Sequence, residues 1–197
     1  MVLMFSVKIE FPGRAQDIHA VPPGAAFLFG HSDGTYTALK ATIGDRQGFA
    51  ILCTPREGVW SGADLQFAGG HNPNSAGPSA LKRFTFYEGL VLKDNPTVFE
   101  LANTRLIVSP FQKAFRFESG TNLTPGNLFA VQNHPPLLAI TAQEEGWLLD
   151  VTTGSATQPG IPGIAIEITQ WALVLELSGK RVILQTHPAG SEAATFV

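Results

Sequence analysis

The sequence is poor in cysteine, in charge and in long apolar runs, and each shortage removes a class of protein. Its single cysteine, Cys53, excludes an internal disulfide framework. Cys53 lies in the apolar run FAILC and reads as a small core residue. Charged residues make up 15% of the chain, against about 25% in ordinary soluble domains, so the surface is unusually neutral. The 13 lysines and arginines are scattered and the net charge is −3. Nucleic acid is held by clustered cations that displace counterions from phosphates, so no nucleic-acid partner is expected. No membrane partner is expected either, since an anionic lipid surface needs the same cluster. No apolar stretch approaches the ~20 residues that cross a bilayer as a helix. The segment MVLMFSVKIEF has neither a basic leader nor a long apolar core, so no secretion signal is expected and the expected location is cytoplasmic.

Motifs of site chemistry are equally scarce. The five histidines, His19, His31, His71, His134 and His187, show none of the tight spacings of zinc ligands. The glycine loops that cradle phosphates are absent. No metal and no cofactor is therefore expected. HSD at 31–33 holds three triad residue types, but Asp33-Gly34 is turn chemistry. Asp17 and His19 in DIH read as a polar surface pair, and Glu144-Glu145 as solvated turn residues.

What the chain has in quantity is alternation and turns. In FSVKIEF (5–11), Phe5, Val7, Ile9 and Phe11 share one face, the period-two signature of a half-buried strand. RFTFYEGLVL (83–92), AFRFE (114–118) and AIEITQWALVLEL (165–177) behave similarly. Turn signals separate them: HSDGT, GDRQG, KDNP, QEEG and LSGK. With 20 glycines and 14 prolines and no sustained helical stripe, the fold class is all-β, a sandwich or barrel with little or no helix.

The chain also repeats itself. VPPGAAFLF (21–29) reappears as LTPGNLFAV (123–131), with Pro23-Gly24 over Pro125-Gly126 and Phe27 over Phe129. ALKA (38–41) then lies on AITA (139–142), and GFAIL (48–52) on GWLLD (146–150). Further on, Thr85 falls on Thr169, Tyr87 on Trp171 and Val98 on Val182. The pattern predicts a tandem internal repeat of two similar β units, 1–103 and 104–197. No Ser/Gly linker separates them near 100–110, so the units are expected to pack closely about a pseudo-twofold axis and to bury a joint core.

The overlay exposes one asymmetry. The first half carries a long Gly-rich loop at 57–80 where the second has the shorter TTGSATQPGIPG (152–163). Loops of that length in compact domains tend to be functional or disordered. This one holds Trp60, Asp64, His71 and Asn72, an aromatic face beside hydrogen-bonding groups, which suits a sugar ring or a peptide. His31 and His134 occupy equivalent turns and complete the candidate ligand-binding set. The expected function is a non-enzymatic binding or assembly module. It would take a protein partner, a second copy of itself or a small neutral ligand such as a sugar, because a neutral surface is easily buried. Two alternatives stand beside it. One is a small enzyme using His71 and Asp64 with His31 or His134 at one barrel end. The other is a structural subunit of a larger assembly.

Overall fold

The protein was analysed as a computed structural model, which describes residues 13–31, 34–54, 81–88, 97–108, 112–117, 122–160, 163–177 and 180–188. Among these the chain is all-β, relieved only by a short 3-10 turn at Ile18–Ala20. The first half contributes β1 (Gly13–Asp17), β2 (Ala26–His31), β3 (Gly34–Ile43), β4 (Arg46–Cys53), β5 (Phe86–Glu88), β6 (Thr97–Leu101) and, when the halves are divided by ladder order a few residues past the expected boundary at 103, β7 (Thr104–Val108). The second contributes β8 (Gln112–Phe117), β9 (Leu128–Val131), β10 (Leu137–Ala142), β11 (Glu145–Asp150), β12 (Ser155–Thr157), β13 (Gly163–Ile168), β14 (Trp171–Leu177) and β15 (Lys180–His187). No described helix is long and apolar enough to cross a membrane.

Turn chemistry sets the hairpins. β3 turns into β4 at Gly44-Asp45, with Gly44 at φ +56°. β10 turns into β11 at Gln143-Glu144, at φ +51° and +67°. Positive φ at such positions matches the twist of the flanking strands.

In the first half β1 pairs β6, β6 pairs β2, and β2, β3, β4 and β5 follow in order, all antiparallel. In the second half β8 pairs β13, β13 pairs β9, and β9, β10, β11 and β12 follow, again all antiparallel. Registers run alike: Phe27 stands opposite Glu100 and Phe129 opposite Glu167, while Ile43 faces Arg46 and Ala142 faces Glu145.

The halves are stitched together by two short parallel bridges. Ser155 of β12 aligns with Thr42 of β3, and the Thr42 N–H donates to the Gly154 carbonyl at 2.7 Å. Thr85 aligns with Thr141 of β10, and the Thr141 N–H donates to the Phe84 carbonyl at 2.7 Å. These bridges close β3, β4, β5, β10, β11 and β12 into a ring. A second, three-stranded sheet of β15, β14 and β7 joins the halves again. There β7 runs antiparallel to β14, with Leu106 opposite Leu173.

The largest apolar cluster draws on both halves: Leu28, Leu39, Ile43 and Leu101 from the first, Leu138, Ile140, Ile168 and Trp171 from the second. Burial of each such side chain stabilises by roughly 1.5–3 kcal/mol. Each half keeps a smaller cluster of its own on the far side of its strands. One is built on Phe27, Phe29, Tyr36 and Phe49. The other is built on Phe117, Phe129, Leu137 and Leu148. Ring contacts knit both, with Phe29 stacked on Tyr36 at 5.4 Å and Phe115 tilted against Phe129 at 4.9 Å. Cys53 is buried, as its apolar setting suggests. Lys40 is the anomaly: it is only 3% exposed. Its Nζ donates to the Ile18 carbonyl at 3.2 Å. Burial lowers its pKa against the raising effect of the Asp17 charge.

Two glycines hold the seams. The Gly24 N–H donates to the Lys40 carbonyl at 2.9 Å, and the Gly126 N–H to the Ala139 carbonyl at 2.8 Å. Their φ values are +81° and +96°. A Cβ at Gly24 would run into the Thr152 carbonyl, whereas one at Gly44 would meet open space. Gly44→Ala should therefore cost about 1 kcal/mol, the conformational penalty alone. Gly24→Ala should cost ~3 kcal/mol or more, because the two halves must also move apart. Urea unfolding of the two variants checks this; equal losses would show that the seam yields freely.

Candidate functional site

The strand order that joins the halves leaves a cavity of about 470 Å³ between them. Binding cavities for small molecules run roughly 300–1,000 Å³ and are mostly apolar. Its walls are Leu39 and Leu52 from the first half and Leu138 and Val151 from the second. Leu106 of β7 and Trp171 and Leu173 of β14 close it on a further side. Gly24, Ala26, Pro136, Thr104 and Thr152 complete the lining. Arg105 also borders it, yet its Nε lies 3.3 Å from the Glu176 carboxylate. Side chains alternate along a strand, and Glu176 shares the face of Ala172 and Val174, opposite Trp171 and Leu173. The Arg105 guanidinium thus points away, and Arg105 reaches the cavity through its backbone. The polar side chains left for a ligand are the hydroxyls of Thr104 and Thr152, so the chamber is neutral.

Behind Trp171 lies a buried polar chain. The Trp171 Nε1–H donates to the Gly126 carbonyl at 2.7 Å, and its ring stacks on His187 at 5.5 Å. His187 Nε2 is 3.3 Å from Asn127 Oδ1, and Asn127 Nδ2 donates to Glu167 Oε1 at 2.7 Å. The Asn127 oxygen must accept, so Nε2 carries the imidazole proton. That leaves Nδ1 bare, and it is buried with no partner among the described residues. Burial, and then the nearby Arg83 charge, pull the His187 pKa down to about 4. Arg83 is held by the carbonyls of Leu52 at 2.8 Å and Thr186 at 2.9 Å. The arrangement keeps a neutral imidazole as a latch between β15 and the turn before β9. The His187 ring packs against Phe84 and Trp171 and does not line the cavity.

Of the residues singled out in the sequence, Trp60, Asp64, His71 and Asn72 lie outside the described residues. His31 ends β2, edge-on to Tyr36 at 6.0 Å. His134 is exposed in the turn after β9, its N–H bonded to the Val131 carbonyl at 3.1 Å. Neither lines the cavity. The stretch GHSDG at 30–34 has the glycine and serine spacing of a nucleophile elbow. An elbow joins a strand to a helix, whereas here His31 pairs with Gly34 across an antiparallel hairpin. No group of three or more His, Cys, Asp or Glu side chains among the described residues could hold a metal ion. Sequence reasoning missed Trp171, Asn127, Glu167 and the leucines of the chamber, because each looks like an ordinary strand or turn residue. Comparison with known proteins finds no matching family model, curated protein or solved structure.

The latch makes a pH prediction. An unfolded histidine titrates near 6.5 and His187 near about 4, so between those values the unfolded chain binds more protons. Its contribution is complete above about 6.5 and is lost as pH falls toward about 4. Urea midpoints measured down this range should decline, and His187→Gln, which stays neutral and can still donate to Asn127, should flatten the decline. A profile unchanged by the substitution would remove His187 from the account.

Proposed function

We propose that this protein is a non-enzymatic binding module made of two copies of one β unit, and that the chamber between the copies holds a small, neutral, largely apolar ligand. The repeated ladder order and registers support the tandem reading. The neutrality of the chamber supports the ligand class: a charged ligand would enter without a counter-charge, and burying an unpaired charge is costly. A cytoplasmic location suits a chain with few charges and one buried thiol.

Self-association is the second reading, and one surface favours it. Ile164 is 74% exposed and Ile166 41%. They sit two residues apart on β13 and so share a face. Exposed Ala114 stands opposite Ile166. If this patch joins two copies, sedimentation should show a mass that rises with concentration, and Ile164→Glu should abolish the rise.

Ala26 offers the direct test of the chamber, since it lines the cavity at the position where the second half has Leu128. In a thermal-shift screen, neutral apolar compounds should raise the melting temperature by mass action. Ala26→Leu should remove that shift while leaving the ligand-free protein as stable as before or more so. A screen without shifts, or shifts indifferent to Ala26→Leu, would overturn the reading.

A further inference from the structure

The chamber is shaped by a residue that one half has and the other lacks. After β6 comes Ala102-Asn103 and then Thr104, the first residue of β7; after β13 comes Thr169-Gln170 and then Trp171, the first residue of β14. In the β7–β14 ladder Thr104 stands opposite Leu175 and Trp171 opposite Val108, with Leu106 opposite Leu173 midway. Thr104 and Trp171 therefore hold matching places on either side of the seam. Gly24 and Gly126 match in the same way, each donating its N–H to the middle strand of its unit.

In the second half the indole of Trp171 donates Nε1–H to the Gly126 carbonyl at 2.7 Å, while the Phe84 and His187 rings fill the space beside the Gly126 α-carbon. Phe84 packs edge-on to the indole at 6.0 Å. In the first half Thr104 is too short to do this. The backbones of Thr152 and Gly154 stand beside the Gly24 α-carbon, and Gly24, Thr104 and Thr152 all line the chamber. Among the described residues no donor reaches the Gly24 carbonyl.

We infer that the chamber takes a planar aromatic ligand bearing a ring N–H, an indole or a related nitrogen heterocycle, which lies beside Gly24 as Trp171 lies beside Gly126 and donates to the Gly24 carbonyl. The inference rests on the chamber being the binding site. Leu39, Leu52, Leu138 and Val151 supply apolar contacts to the ring. The hydroxyls of Thr104 and Thr152 offer hydrogen bonds to a neutral substituent. The volume of about 470 Å³ leaves room for one.

Calorimetric titration of the full chain with indole, 1-methylindole and naphthalene tests it, because the last two keep the apolar ring and lack the donor. Indole should bind about tenfold more tightly than either, the worth of one satisfied buried hydrogen bond. Thr104→Trp should abolish indole binding by supplying the ring from within, and Thr104→Phe serves if the larger side chain prevents folding. Equal binding of all three, lost in Thr104→Phe, would overturn the role of the N–H while leaving the chamber as a ligand site. Indole binding that survives Thr104→Phe would place the ligand elsewhere and overturn the inference. If none of the three binds but other neutral compounds give shifts sensitive to Ala26→Leu, the ligand class is wrong. If nothing binds at all, the chamber reading fails with it.

Discussion

Two backbone hydrogen bonds hold the architecture in place, from Thr42 to the Gly154 carbonyl and from Thr141 to the Phe84 carbonyl. Each lets a strand of one half continue into the ladder of the other. Without them the inner strands of both halves would present unpaired edges toward the interior, and buried unpaired backbone groups are strongly disfavoured. With them the ladders close, and residues as distant in sequence as Ile43 and Ala156 belong to one cluster. The carbonyls that accept at this crossing belong to residues with left-handed backbone, Gly154 at φ +70° and Phe84 at φ +54°. Phe84 bears the strain of that conformation, and its contacts with Trp171, His187 and the Arg83 guanidinium at 4.4 Å over its ring offset it.

The two halves share a ladder order yet differ in the side chains they carry along it. Lys40 stands where the second half has Ala139, and it is tolerated because the Ile18 carbonyl lies within reach of its ammonium. Trp171 stands where the first half has Thr104. Neither difference disturbs the strand registers, because backbone pairing, not side-chain identity, sets them.

Much of this was legible in the sequence, and the limits have a physical cause. The turns at 44–45 and 143–144 and the paired Pro-Gly strands fall where turn chemistry and alternation put them, because glycine and local hydrogen bonding act over a few residues. The overlay slips from β3 onward: matching the hairpins Ile43–Arg46 and Ala142–Glu145 puts Ala38 over Leu137 in place of Ala139, and Gly48 over Trp147 in place of Gly146. Tyr87 was set against Trp171 and Val98 against Val182, whereas the ladders set Thr104 against Trp171 and place Val98 and Ala165 alike in the far-side clusters. Alternation repeats every second residue, so it accepts many registers equally well. The long intervening Gly-rich stretch of sequence at 57–80 also offers no counterpart to anchor the overlay. AIEITQWALVLEL read as one long strand because nothing in Thr169-Gln170 resembles a conventional turn pair, yet the chain changes sheet there. The chamber was invisible for a deeper reason: it is made by non-local pairing of leucines whose only individual message is that they are buried.

That pairing gives the chamber its interest. Protein interiors are packed as densely as organic crystals, and space left unfilled forfeits dispersion contacts on every wall. The chain carries its own demonstration that a ring can be seated at such a place, since Trp171 reaches the Gly126 carbonyl with a satisfied indole N–H. A tryptophan at position 104 would bring the same ring and the same N–H donor toward the Gly24 carbonyl, against Thr152 and Gly154 in place of Phe84 and His187. Packing alone therefore favours a large aromatic at both places, and a chain selected only for stability would be expected to carry one at each. Thr104 leaves one side open, and stability is given up where an apolar, neutral, hydrogen-bond-accepting space is kept. Natural proteins break a packing rule chiefly where function requires it, and an opening left beside Thr104 is in keeping with the proposed ligand site.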